Sequence, residues 1–206
     1  MNHRIIFLIM LWIVASHGLL AQSDARYFVA IDIPEDVEAQ LFPISELLER
    51  RLMGDFEPKE KLHITLYFLG PMPELTLNQT KTLLTQVLAE TTSFSIEVRG
   101  LGFFPNLQKA RVAWIGAHAV EIEQMHRLIQ QHIALAPGEN LEFHPHITLA
   151  RLSAVPPKSM LEKYQQQIAD MGILAKFDVQ EVILMKSAGG KYTPILKIPL
   201  RSQKTK

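Results

Sequence analysis

The segment His63-Ile64-Thr65-Leu66 recurs about 80 residues later as His146-Ile147-Thr148-Leu149, and each copy stands in a similar context. The first lies in a β-rich run from Leu62 to Leu69 that ends at Gly70-Pro71. Ahead of it are a β-rich run from Arg26 to Ile33 and a helix opened by Pro34-Glu35-Asp36, where proline and acids suit a first turn. Val37, Leu41, Ile44, Leu48 and Leu52 give that helix an apolar stripe, with Pro43 an irregularity within it. The second copy opens a strand from His146 to Leu152. It follows a strand at Arg111 to Gly116, a helix marked by Ile122, Met125, Ile129 and Ile133, and a break at Pro137-Gly138. The repeat predicts an α+β fold of two similar β-α-β halves, with no low-complexity linker between them. One compact bilobal domain over 26–200 accounts for it, followed by a polar tail at 201–206.

The intervening pieces fit the same plan. A helix is expected from Leu75 to Glu90 with Leu77, Thr80, Leu84, Val87 and Leu88 inward, then a strand from Phe94 to Phe104 and a turn at Pro105-Asn106. A weakly patterned helix is expected at Ser159 to Asp170. The closing strands are read at Phe177 to Lys186 and Tyr192 to Leu200, joined by a Gly189-Gly190 turn.

Strand periodicity turns the repeated segment into a chemical statement. Side chains two apart share a face, so each histidine stands beside its threonine while isoleucine and leucine point into the core. Two such strands brought together surround a cavity with two imidazoles and two hydroxyls. Histidine ionises near neutrality and serves as base or acid, so one imidazole can activate water while the other protonates a leaving oxygen. Threonine hydroxyls can hydrogen-bond the non-bridging oxygens of a phosphate as charge builds on them. A strained cyclic phosphodiester suits this set, and no metal or other cofactor is required by it.

Composition narrows the alternatives. With 21 Lys and Arg against 21 Asp and Glu, no global field recruits nucleic acid; a local basic cleft that takes a small end group is expected. The absence of cysteine excludes a thiol nucleophile, a disulfide framework and a cysteine zinc site. Residues 1–21 carry a short basic start, the apolar run Ile5 to Val14 and small residues near Ala21, the features of a secretory signal peptide. Export to the periplasm or beyond is the expectation, the alternatives being a membrane anchor or a start placed upstream of a cytoplasmic protein that begins near Ala25.

Taken in order, a longer set of segments resembles a known family. These are Arg26-Tyr-Phe-Val-Ala-Ile-Asp-Ile-Pro34, Leu62-His-Ile-Thr-Leu-Tyr-Phe-Leu-Gly70, Gly100-Leu-Gly-Phe-Phe-Pro105, Arg111-Val-Ala-Trp-Ile-Gly116, Phe143-His-Pro-His-Ile-Thr-Leu-Ala-Arg151 and Tyr192-Thr-Pro194. The chain is similar to the two-histidine (2H) phosphoesterases, in the RNA 2′,3′-cyclic phosphodiesterase or 2′-5′ RNA ligase-like branch. The resemblance implies antiparallel sheets of two halves facing a central water-filled cleft. It implies His63 as proton donor to the leaving 3′ oxygen, His146 as the acceptor that activates water, Thr65 and Thr148 on the phosphate, and a 2′-phosphate product. The substrate is then an RNA end or a nucleoside 2′,3′-cyclic phosphate; the balanced charge and a short cleft make a monomer without a stable protein partner the expectation. The same histidines run in reverse would join a cyclic phosphate to a 5′ hydroxyl; a nucleotide-binding module without catalysis is the non-enzymatic alternative.

Further residues are weighed against plainer roles. Strict alternation turns Arg151 away from His146, so it reaches a phosphate if the strand has bulged or ended before it. Tyr192, after the Gly-Gly turn, is a candidate cleft wall. His144 shares parity with His146 and is read as a surface residue or a rim residue. Phe28, Tyr67 and Phe68 could stack a base, with Phe28 read as core. His118, His126 and His132 are expected to be solvated. The rival from another class is a metal held by His63, His144 and His146, which lacks an acid or cysteine to complete it and leaves the threonines unexplained.

Overall fold

The chain enters its first strand, β1 (Arg26–Asp32), and passes Pro34 into α1 (Glu35–Glu49), whose first turn holds Glu35, Asp36 and Glu38. There the acids oppose the helix dipole favourably. Pro43 lies inside α1, yet the helix continues and buries Val37, Leu41, Ile44 and Leu48 on one stripe. The order continues β2 (Gly54–Phe56), β3 (His63–Gly70), α2 (Glu74–Leu88), β4 (Phe94–Phe104) and β5 (Val112–His118). Then follow α3 (Val120–His132), β6 (His146–Leu152), α4 (Lys158–Asp170), β7 (Ile173–Val179), β8 (Glu181–Ala188) and β9 (Lys191–Pro199). This computed structural model describes residues 25–133 and 142–203. The expected leader at 1–21 and the Pro137-Gly138 break lie outside the described residues. Among the described residues no helix is long and apolar enough to cross a membrane.

The strands form one sheet in the order β7-β4-β5-β6-β3-β1-β8-β9, with β2 added beside β6. Every pairing between named strands is antiparallel. The two halves expected from the repeat are the runs β9-β8-β1-β3 and β6-β5-β4-β7. They are joined through a single bridged pair, Ile64 opposite Ile147, so the expected separate sheets are one continuous sheet. It is curled, because Val179 of β7 and Glu181 of β8 lie far apart in the strand order yet only Gln180 separates them in sequence.

The run read as one strand from Phe177 to Lys186 is therefore two strands in opposite halves. Its β-forming residues are unbroken in sequence, but the chain crosses between halves at Gln180, whose carbonyl accepts from Leu200 N at 2.8 Å. The short β2 was not foreseen, since three residues carry no period. A Cβ at Gly54 would run into the backbone of Arg151 and Leu152, so glycine lets β2 approach β6 this closely. The first residue of the stretch read as a polar tail is anchored. Arg201 bridges to Thr92, donates its backbone N–H to Thr91 O and grips Glu90 with both guanidinium nitrogens.

One apolar core spans both halves. Ile64, Leu66, Ile147 and Leu149 enter it from the two repeated segments, beside Val37 and Leu41 of α1, Ile122 and Ile129 of α3 and Leu161 and Ile168 of α4. α3, which connects β5 to β6, packs against β3 and α2, so the halves are locked by more than the seam. The opposite face of the sheet carries a smaller cluster, Phe28, Ala30, Ile183 and Met185, with Tyr192 packed on it. That face is where the repeated histidines stand.

Candidate active site

The seam fixes the geometry of the site. An antiparallel register that pairs Ile64 with Ile147 sets Thr148 across from His63 and His146 across from Thr65. The two histidines then occupy one diagonal of a rectangle and the two threonines the other, with Cα atoms on a diagonal about 7–8 Å apart. Ile64 and Ile147 are fully buried on the far side, while all four polar side chains are half-buried on the cleft face.

Each imidazole is held in the same way. His63 Nδ1 lies 2.7 Å from Lys61 O, and His146 Nδ1 lies 2.6 Å from His144 O. A carbonyl only accepts, so Nδ1 carries the hydrogen in both rings and Nε2 is left for chemistry. Aromatic rings brace them. His63 has Phe28 at 5.1 Å and the edge of Tyr192 at 5.2 Å, and His146 has Phe104 at 4.9 Å and Trp114 at 5.8 Å between ring centroids.

The two halves solve one packing problem in opposite senses. Opposite small Ala30 on β1 stands Ile183 on β8; opposite large Trp114 on β5 stands Gly102 on β4. A Cβ at Gly102 would run into the indole, so its absence lets Trp114 lie close over β4 with its ring tilted 56° to that of His146. Among the described residues the buried indole Nε1–H has no acceptor.

Matched bulges shape the ends of both strands. Between Ala30 opposite Thr65 and Val29 opposite Tyr67, Leu66 is an extra residue. Between Trp114 opposite Thr148 and Ala113 opposite Ala150, Leu149 is its counterpart. An extra residue inverts the alternation that follows. Tyr67 and Ala150 are consequently buried, whereas Phe68 and Arg151 emerge on the cleft side. The carbonyls of both bulged residues find partners: Leu66 O lies 2.7 Å from His126 Nδ1, and Leu149 O accepts from Glu57 N at 2.8 Å.

Electrostatics separates the twins. Burial lowers the pKa of His63 first, and this is opposed by its hydrogen bond to Lys61 O and by the charges of Glu57 and Asp32. Asp32 is its register partner on β1. Burial also lowers His146, and its hydrogen bond to His144 O opposes this as at His63, but no acid helps: the charges that act there, from His63, His144 and Arg151, all push down. The equivalent of Asp32 in the second half is Gly116, opposite His146 on β5.

Comparison with known proteins gives the family of the chain. The family model of the 2′-5′ RNA ligase superfamily matches residues 34–191. The chain belongs to the 2′-5′ RNA ligase superfamily. It is 28% identical over 174 residues to a protein of Methanocaldococcus jannaschii named RNA 2′,3′-cyclic phosphodiesterase, covering 84% of this chain and 97% of that one. A Thermotoga maritima protein of the same name is 32% identical over 141 residues, covering 65% and 73%. The crystal structure of TT0787 of Thermus thermophilus superposes with a TM-score of 0.71 at 26% identity, over 86% of this chain and 99% of that one. The Escherichia coli LigT structure complexed with 3′-AMP shares the fold, with a TM-score of 0.64 at 24% identity over 87% and 99%.

Arg151 lies on the cleft side because of the Leu149 bulge, with Nε 3.7 Å from Glu57 Oε1. Tyr192 is a wall of the site, 5.3 Å from Phe28, and Lys61 Nζ stands 5.8 Å from its ring centroid. Burial raises the Tyr192 pKa, and the nearby Glu57 adds to this. His144 is exposed and contributes through its carbonyl, its ring lying 3.6 Å from Glu142. It does not join His63 and His146 as a ligand set, and among the described residues no three His, Cys, Asp or Glu side chains cluster to hold a metal.

Phe28 is buried as expected, but in the cleft-side cluster against His63. Tyr67 is spent on a hydrogen bond to Ile133 O at 2.6 Å, and Phe68 is 48% exposed. His118 and His132 are exposed. His126, expected to be solvated, is instead half-buried, capping Leu66 O and stacked on Phe143 at 3.9 Å. Glu57, Asp32 and Trp114 were missed. Only Trp114 had a legible signal, its place two residues before Gly116 on a strand beside the second histidine. A cavity of about 190 Å³ opens on His63, bounded by Asp32, Lys61, Met185 and Tyr192, and a second of about 470 Å³ lies between Trp114, Gly116 and His144.

Proposed function

We propose that this protein hydrolyses 2′,3′-cyclic phosphate ends of RNA, or the corresponding nucleoside cyclic phosphates, to 2′-phosphomonoesters. The observation that carries the reading is the unequal charge around two equivalently held imidazoles. His146, among cations, is suited to be neutral and to take a proton from water at Nε2. Burial lowers both rings, but only at His63 do acids, Glu57 and Asp32, push back, so of the two it is the better suited to carry a proton and give it to the departing 3′ oxygen. Water attacks phosphorus, the bond from phosphorus to O3′ breaks, and the 2′ ester stays. The proton gained by His146 and the one lost by His63 are exchanged with solvent before the next turn.

Thr65, Thr148 and Arg151 surround the position where the non-bridging oxygens gain charge, and donors already aimed there lower the barrier without reorganising. Tyr192 and exposed Phe68 offer ring faces to a nucleoside on the His63 side. Ring strain and this donor set leave no step that needs a metal. The named activity of the relatives supports the same substrate.

The test is incubation of the protein with a nucleoside 2′,3′-cyclic phosphate in EDTA, followed by phosphorus NMR. A 2′-monophosphate is expected; a 3′-monophosphate, or activity that returns only with added metal, refutes the reading. His63→Ala and His146→Ala are each expected to lose about a hundredfold to ten-thousandfold in turnover while keeping the wild-type circular dichroism.

A further inference from the structure

The Leu149 bulge brings an acidic residue into the cleft that belongs to neither repeated segment. Glu57 follows β2, whose residues pair with β6 as Gly54 opposite Leu152, Asp55 opposite Arg151 and Phe56 opposite Ala150. Its backbone N–H closes the bulge on Leu149 O at 2.8 Å. Its side chain is only 18% exposed, and Oε1 lies 3.7 Å from Arg151 Nε. The first half has no such residue at its bulge, where the imidazole of His126 meets Leu66 O instead. The acid is therefore an asymmetry imposed on a near-symmetric site.

Resting on the reading of the site as a cyclic phosphodiesterase, we propose that Glu57 is its positioning residue, aligning the Arg151 guanidinium for phosphate and balancing the cationic charge around His63. Arg151 alone would hold a cation beside both imidazoles, which suits the base and opposes the acid. A carboxylate beside the same guanidinium eases that conflict: Glu57 is mostly buried, while the Arg151 side chain, 62% exposed, stays open to an incoming anion. An arginine already held by one partner also gives up fewer conformations than a free one when it meets an anion. Other charged or titratable groups face His63: Asp32 from β1, His146 and Arg151 from β6 and Tyr192 from β9. Glu60, Lys61 and Lys197 line its cavity. Lys61 Nζ is engaged with Gly190 O and Lys197 Nζ with Glu181, which leaves Glu57 and Asp32 as the acids that act on the ring.

The experiment is Glu57→Gln, read by NMR titration of the two histidine rings and by the pH profile of kcat/KM. The His63 titration and the alkaline limb of the profile are expected to move to lower pH while the His146 titration stays. KM at neutral pH is expected to rise roughly threefold to tenfold as Arg151 loses its alignment. Glu57→Asp keeps the charge and is expected to restore the His63 titration more fully than KM. Where Glu57→Gln folds poorly, the pair variant Glu57→Gln/Arg151→Met removes both charges, leaving neither unpaired. Its His63 ring is expected to titrate below that of Arg151→Met alone. A His63 titration unchanged by loss of Glu57 in either background overturns the proposal. The ring titration needs no turnover, so a wild-type protein inert toward cyclic phosphates refutes the enzymatic reading separately.

Discussion

Ile64 and Ile147 face each other across the seam between β3 and β6, and an approximate two-fold axis through that pair exchanges the two His-Ile-Thr-Leu segments. One bridged pair thus sets the spacing of all four polar side chains. Both isoleucines are completely buried, so Ile147→Ala is expected to cost about 2–5 kcal/mol through lost transfer energy and the cavity left behind. Activity is expected to fall beyond what the unfolded fraction explains, because this bridged pair sets the register of β3 against β6 even though α3 also ties the halves together. Urea unfolding beside kcat measured on the folded fraction checks this; unchanged kcat would show that the register is set elsewhere.

The pH profile of kcat/KM is expected to be bell-shaped. It falls on the acid side as His146 takes up a proton and on the alkaline side as His63 loses one. Burial and the cations around His146 put the acid limb below the ordinary histidine range. Stability follows the same shifts. Both folded pKa values lie below the ordinary 6.5, so near pH 6 the unfolded chain binds more protons than the folded one. The contribution is present in full above about pH 6.5 and is lost as pH falls toward the folded values. His63→Gln/His146→Gln is expected to flatten the rise of the urea midpoint between about pH 5.5 and 7.5, the span of histidine titration; an equally steep rise in the variant would refute the linkage.

Arg151 lowers both histidines. Arg151→Met is therefore expected to move both limbs of the profile to higher pH and to lower kcat/KM by about a hundredfold, the scale of losing one donor to a developing oxyanion. Arg151→Lys restores the charge without the planar fork and is expected to recover the limbs more than the rate. Steady-state kinetics from about pH 5 to 9, spanning both limbs, separate the two effects. A methionine variant with wild-type limbs would place the guanidinium away from the rings.

How far the sequence could be read depends on which rule governed each residue. Period-two alternation placed His63, Thr65, His146 and Thr148 on one face because nothing interrupts the strand between histidine and threonine. The same rule would turn Tyr67 to the cleft, and it made Arg151 conditional, since Leu66 and Leu149 look like ordinary strand leucines and their extra-residue character exists only in the pairing with β1 and β5. Glu57 and His126 were invisible for a related reason. Each is a lone polar residue whose partner is a bulge carbonyl, 92 residues away for Glu57 and 60 for His126. The split at Gln180 could not be seen either, as β-propensity is continuous through it and the crossing is set by which half has an open edge.

Gly102 gives a prediction that rests on shape alone. Trp114 lies over the backbone at Gly102, stacked on Phe104 with ring centroids 4.9 Å apart, and its edge reaches His146. Gly102 lies within β4, where alanine would otherwise be tolerated or preferred on conformational grounds. Here the added methyl meets the indole itself, so Gly102→Ala must tilt Trp114 toward the cleft. Overpacking of this kind costs about 1–3 kcal/mol. A tilted indole also presses on the His146 ring, so kcat is expected to fall several-fold while the His63 titration is unchanged. Gly102→Ala/Trp114→Phe, in which the smaller ring makes room, is expected to regain most of the stability. Should Gly102→Ala alone match the wild type in both stability and kcat, the close approach of Trp114 to β4 would not be what holds His146 in place.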